Sequence, residues 1–277
     1  MSTEVHLALW LDAPLQAWGH NSYFRNRHTA LWPTKSGIVG LLAAARGLDK
    51  LDRTPKAEAD RQIAELADLR MTAIWLPRRV GANRDKPLPA HLLDDFHTVG
   101  GGYTRDADRL RRPRKAGDGK PRKDPDVTVR QYLEDARFGI ILSGTRATLE
   151  LCKLAVENPV WGVWFGRKCC LPAGPVFAAL EADFAAAWNV LLHRAELPED
   201  SLITGFDRLC ELRPDEEPPP LASQEGWTVH IDNWNDSPVR YGPANHDREF
   251  RPRRIVEIRA NRQSQQPISP SVSSAGS

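Results

Sequence analysis

Residues Leu15–Gly47 read LQAWGHNSYFRNRHTALWPTKSGIVGLLAAARG, and the fold is decided by how this stretch is read. Its second half is a helix with a marked start. Pro33 and Thr34 precede it, and Ile38, Leu41, Leu42 and Ala45 recur at helical spacing. Gly47 is placed to end it. Its first half, from Gly19 to Trp32, is a polar loop carrying Arg25, Arg27 and His28. Just upstream, Val5 to Leu11 is short and apolar, closed by the breaker Asp12-Ala13-Pro14, as expected of a buried strand.

Downstream, a second helix is expected over about Ala57 to Leu69, with Ile63, Leu66 and Leu69 on one face. Met71 to Leu76 reads as a strand stopped by Pro77. From Arg78 to Arg130 hydrophobic periodicity disappears and Gly, Pro and Arg dominate. A structureless loop of that length is unusual inside a compact domain, so an inserted arm, such as a β-hairpin, is expected. Regular structure then returns: strand Phe138–Ser143, helix Thr148–Glu157, strand Val160–Gly166. With the arm set aside, the order is βαββαβ, an α+β ferredoxin-like arrangement that many unrelated proteins share.

Beyond Pro175 the sequence predicts a helix (about Ala178 to His193) and strands near Ser201–Phe206, Trp227–Asp232 and Ile255–Arg259. The expected organisation is a body over 1–175 with its arm at about 78–130. A small, β-rich C-terminal α/β subdomain follows over 176–260. The Ser/Gln/Pro-rich end, 261–277, reads as a disordered tail.

The bulk numbers exclude more than they select. A net charge of +2 does not announce a polyanion partner, so distribution decides. Between Arg105 and Arg130 there are ten Lys/Arg against five Asp, a local excess of +5, and Arg105, Arg109, Arg111 and Arg112 lie within it. Four cysteines are too few for a disulfide scaffold. Cys169 and Cys170 are adjacent, which is not the spacing of a zinc knuckle, and Cys152 and Cys210 read as small buried hydrophobes. No metal and no cofactor are expected. The N-terminus MSTEVHLALWLD lacks the features of a signal peptide, and no apolar run approaches membrane-spanning length. A cytoplasmic protein without membrane contact is expected.

LQAWG at Leu15–Gly19 and WPTKSGIVGLLAAARG at Trp32–Gly47 resemble the N-terminal signature of the CRISPR-associated CasD family. Three further segments resemble the same family in the same order: DFHTV at Asp95–Val99, RQYLEDARF at Arg130–Phe138, and WFGRKCCLPAGPVF at Trp164–Phe177. The matches span Leu15 to Phe177; the C-terminal third carries none. The resemblance implies a modified RNA-recognition-motif body of the repeat-associated mysterious protein superfamily, with a thumb-like insertion where the arm falls. It implies a subunit of type I-E Cascade that holds the 5′ handle of the guide RNA. Such a subunit touches the large subunit, the backbone subunit and target DNA near the guide's 5′ end.

Single-stranded RNA is held by charge along its phosphates, stacking surfaces and close backbone approach. Thr34-Lys35-Ser36-Gly37 opens a helix, so free amides there could meet a phosphate with Lys35 adding charge. A capped, tightly packed helix end is the equal alternative. Arg25, Arg27 and His28 are loop residues, and Arg27 falls in step with the family pattern. Gly166-Arg167-Lys168 pairs a close-approach glycine with two cations and resembles the superfamily's glycine-rich RNA loop. Trp18 and Trp32 read as core, Phe138 as core, and Tyr132 as a residue that stacks or packs. The rival function is a metal-independent endoribonuclease that processes CRISPR precursor RNA, with His97 assembled alongside Tyr103 or Lys35. In the subtype resembled, cleavage is assigned to another subunit, and a non-catalytic role is expected.

Overall fold

A computed structural model describes residues 4–23, 25–48, 56–78, 91–99, 126–198, 203–212, 216, 227–240 and 249–258. Arg105, Arg109, Arg111, Arg112, Tyr103 and the tail 261–277 lie outside the described residues.

The first strand shows why the body forms. β1 (Glu4–Asp12) is buried at every position but its two ends. Val5, Leu7, Leu9 and Leu11 join one core, and Ala8 and Trp10 join a second on the opposite face. A strand with both faces covered must be a near-continuous apolar run, and VHLALWL is one. β1 sits between β8 (Arg137–Thr145) and β9 (Phe177–Glu181), antiparallel to both. β5 (Arg70–Trp75) pairs antiparallel with the far side of β8. Helices α1 (Lys35–Ala45) and α2 (Lys56–Ala67) lie in the chain between β1 and β5, and α3 (Arg146–Glu157) lies between β8 and β9.

The strand order β5-β8-β1-β9 is embedded in a larger sheet. β10 (Arg208–Leu212) pairs with β5, β12 (Glu249–Ile258) with β10, and β11 (Trp227–Arg240) with β12, making seven strands. A second sheet has the order β2-β7-β4-β3: β2 (Leu15–Gln16), β7 (Asp126–Glu134), β4 (Asn26–Ala30) and β3 (Trp18–Tyr23). β6 (His91–Val99) pairs with β7 along nine positions, His91 with Glu134 through Val99 with Asp126. The expected arm is therefore a β-hairpin at its base. The loop expected at Gly19–Trp32 is largely the β3–β4 hairpin.

Three expectations are corrected. Val160–Gly166 is not a strand: Gly166 has φ of 95°, and Phe165 closes a local turn through its amide to the Cys170 carbonyl at 2.9 Å. The strand that follows α3 is Phe177–Glu181, and the helix expected from Ala178 is α4 (Phe184–Arg194). Alanine-rich FAALEADFAAAW has helix propensity throughout, but its first five residues complete the exposed edge of β1. The boundary at 175 thus cuts the body. β9 belongs to it, α4 covers its second core face with Ala187, Trp188, Leu191 and Leu192, and β10 extends its sheet. Finally, Ile203–Gly205 is a 3-10 turn, and the strand expected at Ser201–Phe206 lies at β10.

Candidate nucleic-acid interface

The recognisable segments meet around Trp18. Its indole is fully buried and stacked on Phe165, with centroids 6.1 Å apart. Its Nε1 donates to Gln16 Oε1 at 3.1 Å, while Gln16 Nε2 donates to the carbonyls of Leu11 and Ala136 at 3.1 and 2.7 Å. A buried amide with its hydrogen bonds met locks the end of β1 to the start of β8. Gly37 faces the same indole: a Cβ there would lie 2.8 Å from Trp18 Cε3. On the other side, the Ala17 amide donates to the Phe165 carbonyl at 3.0 Å. A Cβ on Gly166 would fall 1.6 Å from the Ala17 oxygen. LQAWG, TKSG and the GRK loop are thus one packed joint. Trp32 is half-buried against Trp75 and Phe138 and donates to Glu257 Oε1 at 3.3 Å.

The helix start resolves in favour of capping. Thr34 Oγ1 accepts from the Gly37 amide at 3.1 Å and from Ser36 Oγ at 3.4 Å. Lys35 is fully buried, and its ammonium is 2.8 Å from Glu211 Oε2 and bonded to the Leu69 carbonyl. The same carboxylate oxygen accepts from the Met71 amide at 3.1 Å and lies 3.7 Å from Arg253 Nη1. Burial pushes the Lys35 pKa down, against the pull of Glu211. The expectation that Lys35 and Gly37 serve a phosphate is therefore corrected. Lys35 ties α1 to β10, and Gly37 is small because Trp18 is large. Ser36 is only partly exposed.

The exposed cations lie on the second sheet. Arg25, Arg27 and His28 are exposed, while the backbone beneath them is held. The Arg25 carbonyl accepts from the Val129 amide at 2.7 Å, and the Arg27 carbonyl accepts from Arg167 Nη2 at 2.8 Å. β4 runs parallel to β7 with Arg27 beside Arg130, which places two guanidinium-bearing residues on neighbouring strands. Arg130 pairs across with Asp95 on β6. It is a site candidate that the sequence did not single out, because it lay at the edge of a long basic run.

Arg167 is committed to the fold rather than offered to solvent. Besides Arg27, it donates to the Gln131 carbonyl at 2.9 Å and lies over the Tyr132 ring at 4.5 Å. Tyr132 is 4% exposed, so it packs. Arg167 as a direct RNA contact is corrected to a residue that fastens the GRK loop onto β4 and β7. Its neighbour Lys168 is exposed, with Nζ 5.7 Å above the Trp164 ring. The loop's cysteines differ: Cys169 is exposed with Sγ 3.5 Å from Tyr132 Oη, whereas burial pushes the Cys170 thiol up to about 12.

On the arm, His97 is exposed with Nδ1 3.9 Å from Asp95 Oδ2. It does not meet Lys35, whose ammonium is sealed against Glu211, so that half of the imagined acid–base pair is not assembled. Phe96, 73% exposed, points to the opposite face of the hairpin, as alternation requires.

The family model described as CRISPR-associated protein (Cas_Cas5) matches residues 6–262. Among curated proteins, the chain is similar to the CRISPR system Cascade subunit CasD of Escherichia coli (strain K12). The two are 31% identical over 175 residues, covering 62% of this chain and 69% of that one. Among solved structures, it is similar to a chain of a CRISPR RNA-guided surveillance complex at a TM-score of 0.60. Sequence identity there is 26%, with 91% of this chain and 90% of that chain covered.

Proposed function

Because the chain belongs to the CRISPR-associated Cas5 family and is a homologue of Cascade subunit CasD, we propose that it is a non-catalytic RNA-binding subunit of a type I-E Cascade complex. It grips the 5′ handle of the guide RNA and contacts the large and backbone subunits, next to target DNA at the guide's 5′ end. The observation that carries the reading is the set of exposed cations on a held backbone. Arg25, Arg27 and Lys168 project from segments that Arg167 and Val129 fasten together. Preset cations along a strand edge suit successive phosphates, because little order is lost when the RNA arrives.

The strand order β5-β8-β1-β9, all antiparallel with α1 and α3 on connecting segments, supports a ferredoxin-like reading of the body. The β6–β7 hairpin is then its thumb. Among the described residues no helix is long and apolar enough to cross a membrane, which suits a cytoplasmic assembly.

The test is to purify the full chain with its cognate guide RNA and crosslink it with ultraviolet light. Crosslinks from the handle to peptides containing Arg25–Arg27 and Lys168 are expected, with the RNA left intact in EDTA. Specific cleavage within the repeat RNA, abolished by His97→Ala, would overturn the non-catalytic assignment. Absence of handle crosslinks would overturn the RNA-binding one.

A further inference from the structure

Helix α3 is apolar on both sides. Leu149, Cys152 and Val156 are 0%, 0% and 7% exposed and join the body core. Leu151 and Leu154 are 50% and 57% exposed. At 3.6 residues per turn they share the pole opposite the core stripe with Ala147 and Asn158, both also exposed. A surface helix ordinarily turns polar side chains to that pole, and one that is apolar all round is normally buried. The free chain leaves half of this helix's apolar surface uncovered.

The charged residues of α3 show what does not cover it. They lie on one flank and are engaged within the protein. Arg146 Nη1 is 3.5 Å from Glu150 Oε1, and Lys153 Nζ lies 5.4 Å from the Phe177 ring centroid. Glu157 adds another carboxylate, so the flank carries two basic and two acidic residues. Nothing here matches the cation-rich edge at Arg25 and Arg27, and a phosphate backbone would gain little. A second copy of the chain is also a poor fit. Two half-exposed leucines and an alanine cover far less than the roughly 1,200 Å² that a stable two-body interface needs.

A small apolar patch is sufficient when the two bodies are already held on a shared scaffold, because the contact then forms at high effective concentration. Resting on the assembly role proposed above, we infer that the outer pole of α3 is a protein-docking surface. Its occupant is the apolar surface of a neighbouring subunit bound to the same guide RNA, seated over Leu151 and Leu154.

The test uses the full chain in its complex. Leu151→Glu/Leu154→Glu and the milder Leu151→Ser/Leu154→Ser are each assembled with guide RNA, the backbone subunit and the large subunit. Affinity of the chain–RNA unit for the remaining subunits is measured together with the mass of the particle. Expected is at least a tenfold loss of affinity for one subunit, with handle-RNA affinity and the thermal melt of the free variants unchanged. Wild-type assembly by both variants overturns the inference. So does a micromolar dimer of the free chain that the substitutions convert to monomer, which would make a second copy the occupant. Loss of RNA affinity with subunit binding intact would place RNA on the patch and overturn it as well. A wild-type chain that takes up neither guide RNA nor subunits would overturn the functional proposal itself, and this inference with it.

Discussion

Two places in the molecule carry cations beside a glycine, and they use them in opposite ways. At the start of α1, Lys35 is fully buried against Glu211 and Leu69, and the nearby Gly37 yields space to Trp18. At the β3–β4 edge and the GRK loop, Arg25, Arg27 and Lys168 are exposed, and only Arg167 is drawn into the fold. The helix start has the stronger sequence signature, yet it offers less to a ligand. Residues that must fit a packed joint are restricted at every position, so they form long recognisable strings. A phosphate contact asks only for a cation on a held backbone, and many sequences meet that demand.

The largest expected effect breaks the first place without touching the second. Lys35→Ala leaves the Glu211 carboxylate and the Leu69 carbonyl without their ammonium. Removing one partner of a buried pair costs roughly 3–5 kcal/mol. Urea unfolding should show that loss, while handle-RNA affinity per folded molecule stays at the wild-type value. A lost RNA affinity with stability intact would return Lys35 to the interface.

Next comes Gly166→Ala, where the two places join. The residue has φ of 95°, and the added Cβ would fall 1.6 Å from the Ala17 carbonyl oxygen. Backbone strain and overpacking together are expected to cost about 2–4 kcal/mol. Since the loop carrying Lys168 must shift away from β3, handle affinity should fall as well. Both a thermal melt and a binding titration are needed, and a drop in only one would mean that the loop and the joint are separable.

The sequence made the body legible because its elements are long and locally consistent. β1, β5, β8, α1, α2 and α3 fall where apolar periodicity and the Thr34 and Gly47 signals put them. β9 was missed because Phe177–Glu181 has no strand signature of its own; the free edge of β1 makes it a strand. The subdomain boundary failed for a related reason. Pairing of β10 with β5, and Lys35 with Glu211, are contacts between residues far apart in sequence. Within the site, Arg25, Arg27 and Lys168 were legible as cations in loops. That Lys35 and Arg167 are occupied was not, because their partners are a distant carboxylate and two backbone carbonyls.

A smaller effect sharpens the second place. Arg25→Ala with Arg27→Ala removes two exposed side chains, so stability should stay within about 0.5 kcal/mol of wild type. Binding should weaken by roughly tenfold, uniformly across handle sequences, if both meet phosphates. Two lost phosphate contacts on a single strand should flatten the log–log salt dependence by about 1.4. An unchanged slope would move the RNA away from the β3–β4 edge.

The smallest effect lies at His6, which shows what happens to a buried base that lacks a carboxylate like Glu211. Its Nδ1 is 2.8 Å from Ser143 Oγ, its ring meets Phe184 edge-on, and it is 8% exposed. Burial pushes its pKa below the ordinary 6.5, with Arg70 acting in the same direction and Glu4 and Asp183 opposing. Below pH 6.5 the unfolded chain binds a proton that the folded chain resists, so stability rises with pH through that window. The contribution is complete above 6.5 and is lost as pH falls towards the folded pKa. His6→Gln has no such proton to exclude, so its stability relative to wild type should improve as pH drops from 7 to 5. Paired urea titrations at those two values would show it. A difference that stayed constant would mean that His6 enters the fold with its charge, held by Glu4 and Asp183 as Lys35 is held by Glu211.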